Sequence, residues 1–199
     1  MGLVRMGPPH DLIVLLARHG DLRTFIETGT YSGNTAAWAA SVFDSAITVE
    51  ASRQMYNEAT ARFGHVRNLR FVFGDSKSVI PQLLPELPGP TLFWLDAHWS
   101  GGPTWGDHDE CPLLEEIAAI HTSPHPHYIL VDDARLFLAP PRAPHKAEQW
   151  PTIDRVCDAL RAGPHRYHIV VFEDVIVAVP ESARQTLVDY CRAKLAAAA

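Results

Sequence analysis

An α/β fold, with one doubly wound and mostly parallel sheet of seven strands closed by an antiparallel hairpin, is the fold class this sequence predicts. Three observations predict it. Short apolar or β-branched runs alternate with stretches of helical periodicity, the pattern of a parallel sheet covered by helices on both faces. A glycine turn, 29–33, follows the first such run and leads into a helical stretch. The last two runs, Tyr167–Phe172 and 175–179, are joined only by Glu173 and Asp174, a link too short for anything but an antiparallel hairpin.

The elements follow in order. Leu12, Leu15 and Leu16 recur at helical spacing, so 10–18 reads as an amphipathic N-terminal helix. The buried run Phe25-Ile26-Glu27-Thr28 is the first strand, and 35–43 the helix after the turn. Residues 46–50 form a β-branched strand ending in Glu50, and 51–63 a helix. Leu69–Phe73 is the third strand; Asp75 after it suits the cap of a helix at 77–84. Residues 91–95 are apolar throughout, as in a strand buried on both faces, and end in Asp96-Ala97-His98-Trp99. The loop 100–110 is rich in turn formers and long enough for a binding loop. A helix at 113–121 and the strand Tyr128–Val131 follow, the strand ending in Asp132-Asp133-Ala134-Arg135. Pro140, Pro141 and Pro144 make an extended segment that can border a ligand pocket, and 152–162 and 182–195 read as helices around the hairpin. There is no repeat, and 1–199 reads as one domain with a core over 22–180.

Bulk properties narrow the function. The 199 residues carry 23 acidic and 17 basic side chains, a net charge of −6, which argues against a nucleic-acid partner. No apolar run approaches the roughly 20 residues of a membrane span, and Pro8, Pro9, His10 and Asp11 interrupt any signal-peptide core. Cys111, Cys157 and Cys191 are odd in number and match no zinc spacing, so a reducing, cytoplasmic setting is expected. Homo-oligomerisation leaves no sequence mark.

The turn carries the strongest functional signal. Gly29 permits a sharp bend through positive φ, and Gly33 lets a ligand or a neighbouring strand approach the backbone. The following helix points free N–H groups at the turn, which suits an anionic group, while Glu27 suits a positive one. S-adenosylmethionine carries both. Tyr31 stands where a dinucleotide fingerprint has its middle glycine, which weakens a nicotinamide reading. Glu50, about 20 residues on, is placed for ribose hydroxyls. If the first and fourth strands are neighbours, Gly29, Glu27 and Asp96 face one cleft. Asp132 and Asp133, at a buried strand end, need a cation, protonation or hydrogen bonds, and one of them can pair with Arg135.

The motif Glu27-x-Gly29-x-Tyr31-x-Gly33, with the alternating elements and reversed last strand, resembles the Rossmann-like class I S-adenosylmethionine-dependent methyltransferases. That resemblance implies a methyltransferase in which Glu27, Gly29, Tyr31, Ser32 and Gly33 hold the methionine part, Asp96 also lines the cofactor cleft, Glu50 holds the ribose, and Asp75 and Ser76 lie near adenine. Leu95-Asp96-Ala97-His98-Trp99 and Val131-Asp132-Asp133 are similar to metal-dependent catechol- and sugar-type O-methyltransferases. This narrower similarity implies Mg²⁺ on Asp96, Asp132 and Asp133. The sequence departs from it at the inserted Ala97 and at Ser100, where the catechol enzymes carry a lysine base. His98 is then the candidate general base, with Asp96 beside it, for O-methylation of a small molecule. Trp99, Trp105 and Arg135 hint at a planar or acidic acceptor. Two alternatives stand: a metal-free methyltransferase acting on a hydroxyl or carboxylate, with the acidic pair structural, and a non-catalytic or nicotinamide-binding module of the same fold.

Overall fold

The computed structural model describes residues 7–99, 101, 106 and 108–197. Ser100 and Trp105 lie outside the described residues. Helix α1 (His10–Gly20) precedes β1 (Thr24–Thr28), α2 (Asn34–Ala39), β2 (Ser45–Glu50), α3 (Arg53–Phe63), β3 (Leu69–Phe73) and α4 (Ser76–Leu83). Then come β4 (Leu92–Leu95), α5 (Leu113–Ile120), β5 (Tyr128–Val131), α6 (Arg135–Leu138) and α7 (Ile153–Arg161). The hairpin β6 (Tyr167–Phe172) and β7 (Val175–Pro180) leads into α8 (Arg184–Ala197).

All seven strands join one sheet in the order β3-β2-β1-β4-β5-β7-β6, parallel as far as β5 and antiparallel in the β5–β7–β6 segment. The central strands β1, β4 and β5 are buried throughout because both faces are covered, and β4 and β5 are almost wholly apolar. Successive side chains take opposite faces: Ile26, Phe93, Leu95 and Ile129 pack against α4, α5, α6 and α7, while Phe25, Leu92, Trp94 and Leu130 pack against α1, α2 and α8. Among the described residues, no helix is long and apolar enough to cross a membrane.

Register decides what the carboxyl end of the sheet presents. Thr28 of β1 pairs with Val49 of β2 and with Leu95 of β4, and Leu95 pairs with Val131 of β5. The next residue on each strand therefore falls in one row: Glu50, Gly29, Asp96 and Asp132. Strand order reverses between β1 and β4, where ligands bind in open α/β sheets.

Two helices differ from expectation. α2 has six residues, stopping at Ala39 rather than 43. The Ser41 hydroxyl donates to the Trp38 carbonyl at 2.6 Å, and Ser41 N–H also turns to that carbonyl at 2.9 Å, closing the helix early. The dipole argued for its N-terminus is correspondingly small. α6, one turn after β5, was not foreseen; it carries Arg135.

Candidate functional site

The bend after β1 is held by backbone geometry. Gly29 has φ +82°, and a Cβ there would lie 2.1 Å from the Asp96 carbonyl oxygen. Gly29 N–H donates to Val49 O at 2.9 Å and Asp96 N–H to Thr28 O at 3.1 Å, so three strand ends are drawn together at this glycine. Tyr31 also has positive φ, 46°, and its side chain is 61% exposed at the tip of the turn. Ser32 accepts from the Asn34 amide at 3.0 Å. Gly33, φ +76°, is the other glycine of the motif, but a Cβ there would meet Phe63 at 3.1 Å and Ala59 at 3.2 Å. Its crowded neighbour is α3, not a strand or an open ligand surface, which corrects the reason given for that glycine.

Beneath the bend lies a buried acid. Glu27, 2% exposed, accepts from the Thr48 hydroxyl at 2.6 Å, and the Thr30 and Thr48 hydroxyls are themselves 2.6 Å apart. Burial pushes this carboxyl up to about 8; Glu50 adds to the rise, and the Thr48 and Thr35 hydroxyls oppose it. Glu50 uses both oxygens on backbone, accepting Tyr31 N–H at 2.9 Å and Ser52 N–H at 2.7 Å. It thus ties the glycine bend to the end of β2. Each oxygen keeps a second acceptor site for a ligand hydroxyl. Asp75 caps α4 by accepting Lys77 N–H at 3.0 Å, and Ser76 is buried with its hydroxyl on Glu116.

The second half of the site lies beyond β4 and β5. Burial raises the Asp96 carboxyl well above its usual range, and Asp132, Glu27 and Asp133 add to the rise. Burial and Asp133 push Asp132 up to about 7. Asp132 accepts the N–H of Asp133 at 2.8 Å. His98 is buried, with Nε2 3.4 Å from Asp96 Oδ1 and 3.3 Å from Asp133 Oδ2. Burial lowers its pKa, against the pull of Asp133, so the imidazole is neutral at pH 7.

The carboxylates have the oxygen chemistry Mg²⁺ prefers, but their arrangement does not fit the ion. Asp133 Oδ1 is 2.6 Å from Arg135 Nη1, and Oδ2 faces His98. Among the described residues, no group of three or more His, Cys, Asp or Glu side chains is placed to hold a metal ion. Both oxygens of Asp133 thus already have a partner in the protein. As these side chains stand, the expected Mg²⁺ shell of Asp96, Asp132 and Asp133 is not assembled.

Sequence reading missed two acids. Glu110 is wholly buried and accepts Trp150 Nε1–H at 2.8 Å and Lys146 N–H at 3.0 Å, with His145 Nδ1 at 3.3 Å. Its own N–H donates to the Gln149 side chain at 2.9 Å, and its carbonyl accepts Trp99 N–H at 2.8 Å. One residue therefore fastens the segment 145–150 to the loop carrying His98 and Trp99. Trp150 stacks obliquely on His98 at 5.4 Å, and His145 meets Trp99 edge-on at 5.5 Å, giving this side an aromatic wall. Glu116 sits on the apolar face of α5 with Leu113, Ile117 and Ile120, beside a cavity of about 10 Å³, room for one water. That face was legible at helical spacing; the partners of Glu110 lie 35–40 residues away and leave no local signal.

Burial has a pH consequence. Glu27 titrates near 8 and Glu116 near 7 in the folded chain, both raised mainly by desolvation from 4.5. Folded protein therefore binds more protons than unfolded protein across this window. The stability these two carboxyls contribute is fully present below pH 4.5 and is lost as pH rises through 7 and 8. Urea denaturation of the ligand-free chain should show this fall, with a slope of about 1.4 kcal/mol per pH unit for each proton. Glu27→Gln and Glu116→Gln should each flatten it; a flat profile in the unaltered chain contradicts the burial argument.

The strand order, the reversed β7 and the bend at the switch point together define the fold of the class I S-adenosylmethionine-dependent methyltransferases. Neither a protein-family model nor a curated protein matches the sequence. Solved structures do. The O-methyltransferase from Bacillus cereus in complex with SAH is similar at TM-score 0.61 and 17% identity, over 89% of this chain and 83% of that one. The SAH-bound Podospora anserina methyltransferase PaMTH1 is similar at TM-score 0.57 and 17% identity, over 88% of this chain and 80% of that one. At these identities the likeness establishes the fold.

Proposed function

We propose that the protein transfers a methyl group from S-adenosylmethionine to an oxygen of a small molecule. The observation that carries this is the bend at Gly29, placed at the sheet's switch point, where the Asp96 backbone closes to a distance no side chain would allow. The bend draws the ends of β1, β2 and β4 together over the buried Glu27, an arrangement that suits a ligand cationic at sulfur and nitrogen. A cationic ligand would draw the proton from Glu27 and leave a carboxylate behind the methionine ammonium and sulfonium; Glu50 would accept from the ribose hydroxyls, and Asp75 and Ser76 would border the adenine. Gly33 would keep the turn packed on α3, with Tyr31 and Ser32 at its rim. When bound, the sulfonium supplies the methyl group.

The chain's own residues account for the rest. Trp99, His145 and Trp150 form the wall against which an acceptor would be oriented, and orientation is the larger part of such a displacement's acceleration. His98 Nε2 would take the proton from the acceptor hydroxyl. Asp133, 3.3 Å from that nitrogen, would stabilise the imidazolium formed. Oxygen as the acceptor atom is supported by the O-methyltransferase among the similar structures. Mg²⁺ has no step in this reading, because Asp133 is already engaged. Calorimetric titration with S-adenosylhomocysteine, with NADPH as the rival ligand, tests it. One-to-one binding of the former is expected; heat with NADPH alone would overturn it.

A further inference from the structure

The end of β5 and the turn between β6 and β7 are clamped by one guanidinium. Arg135 Nη1 lies 2.6 Å from Asp133 Oδ1 and also bonds Asp174, whose side chain is buried. Asp174 further accepts Arg135 N–H at 2.8 Å, and its carbonyl accepts Ala134 N–H at 2.8 Å. The clamp has a backbone counterpart: Asp133, Glu173 and Asp174 all sit at positive φ, 55°, 48° and 66°, a cost tolerated when the surroundings over-determine it. On the other side of Asp133, His98 Nε2 stands between Oδ2 and Asp96. Each carboxylate that the sequence offered to a divalent ion thus already faces a group of the protein: Arg135 and His98 at Asp133, His98 at Asp96 and backbone N–H at Asp132. A divalent ion on this cluster would have to displace the guanidinium from Asp133 while Asp174 still holds it in place, and charge-assisted hydrogen bonds of this kind are among the stronger polar contacts.

We infer that Arg135 is the built-in counter-ion of this acidic cluster, standing in the role a divalent metal would otherwise fill, so that the site works without one. Arg135 holds Asp133 in register with His98; it is a positioning residue and is not assigned contact with the acceptor. The inference about metal binding is independent of the methyltransferase reading; only its consequence for turnover rests on it.

Mn²⁺ alone is the probe, titrated into the full chain and followed by the electron paramagnetic resonance of the free ion. The unaltered protein should take up no stoichiometric Mn²⁺. Arg135→Met keeps the stem and removes the charge; it should gain one site at least about tenfold tighter than any in the unaltered chain, and Arg135→Met/Asp133→Asn should lose it. One Mn²⁺ per unaltered chain, abolished by Asp133→Asn, overturns the inference. So does a folded Arg135→Met that takes up no more Mn²⁺ than its parent. Should Arg135→Met not fold by circular dichroism, the titration of the unaltered chain decides. If no methyl donor binds, the proposed function fails while this titration still gives its answer.

Discussion

Gly29→Ala is expected to lower the unfolding free energy by about 3–5 kcal/mol and to abolish cofactor binding. Two costs combine. An alanine at φ +82° is strained by about 1–2 kcal/mol whatever surrounds it. Its Cβ would also sit 2.1 Å from a backbone oxygen, that of Asp96, so β1 and β4 must part at their carboxyl ends. Backbone cannot swing aside as a side chain tip can. Gly89→Ala is the control: nothing lies within 4 Å of a Cβ there, and the change should stay within about 0.5 kcal/mol of the unaltered chain. Guanidinium denaturation of both variants measures the difference. Equal midpoints would show that the bend is not held as described.

Glu110→Ala should cost about 3–5 kcal/mol, the range for breaking a buried charge network. It strips the acceptor from Trp150 Nε1–H and from Lys146 N–H and removes the partner of His145, around a carboxylate that is itself fully buried. Glu110→Gln keeps one carbonyl oxygen and should lose less than half as much. Tryptophan emission gives a second reading, since Trp150 is buried in the native state and should shift to the red as the segment 145–150 loosens. A Glu110→Ala chain that melts with its parent and emits unchanged would remove the case for a pinned aromatic wall.

Local chemistry and tertiary contact divide what could be read beforehand from what could not. The β1 run, the glycine bend and the two-residue link at Glu173-Asp174 are short-range features, and each predicted its element. Asp75 was open between a cap and an adenine contact; the cap is seen, and the contact is a matter of ligand binding. α2 was drawn four residues too long because apolar positions continue to Phe43, while the Ser41 hydroxyl competes for the helix's last carbonyls. Gly33 looked like a ligand approach, yet the space is taken by Phe63, 30 positions away. At Asp133 the same residues allowed a metal or Arg135, and spacing cannot choose between them. Asp174, brought across from the hairpin turn, holds the guanidinium against Asp133, a contact no spacing could announce.

Titration of S-adenosylhomocysteine into Glu50→Gln beside the unaltered chain bears most directly on the proposed site. Glu50 joins the bend to the end of β2 through Tyr31 N–H and Ser52 N–H and offers its remaining acceptor sites to the ribose. A one-to-one complex weakened at least about tenfold by this single change is the expected result. Undiminished affinity in Glu50→Gln, or no binding by the unaltered chain, would contradict a nucleoside seated between β1 and β2.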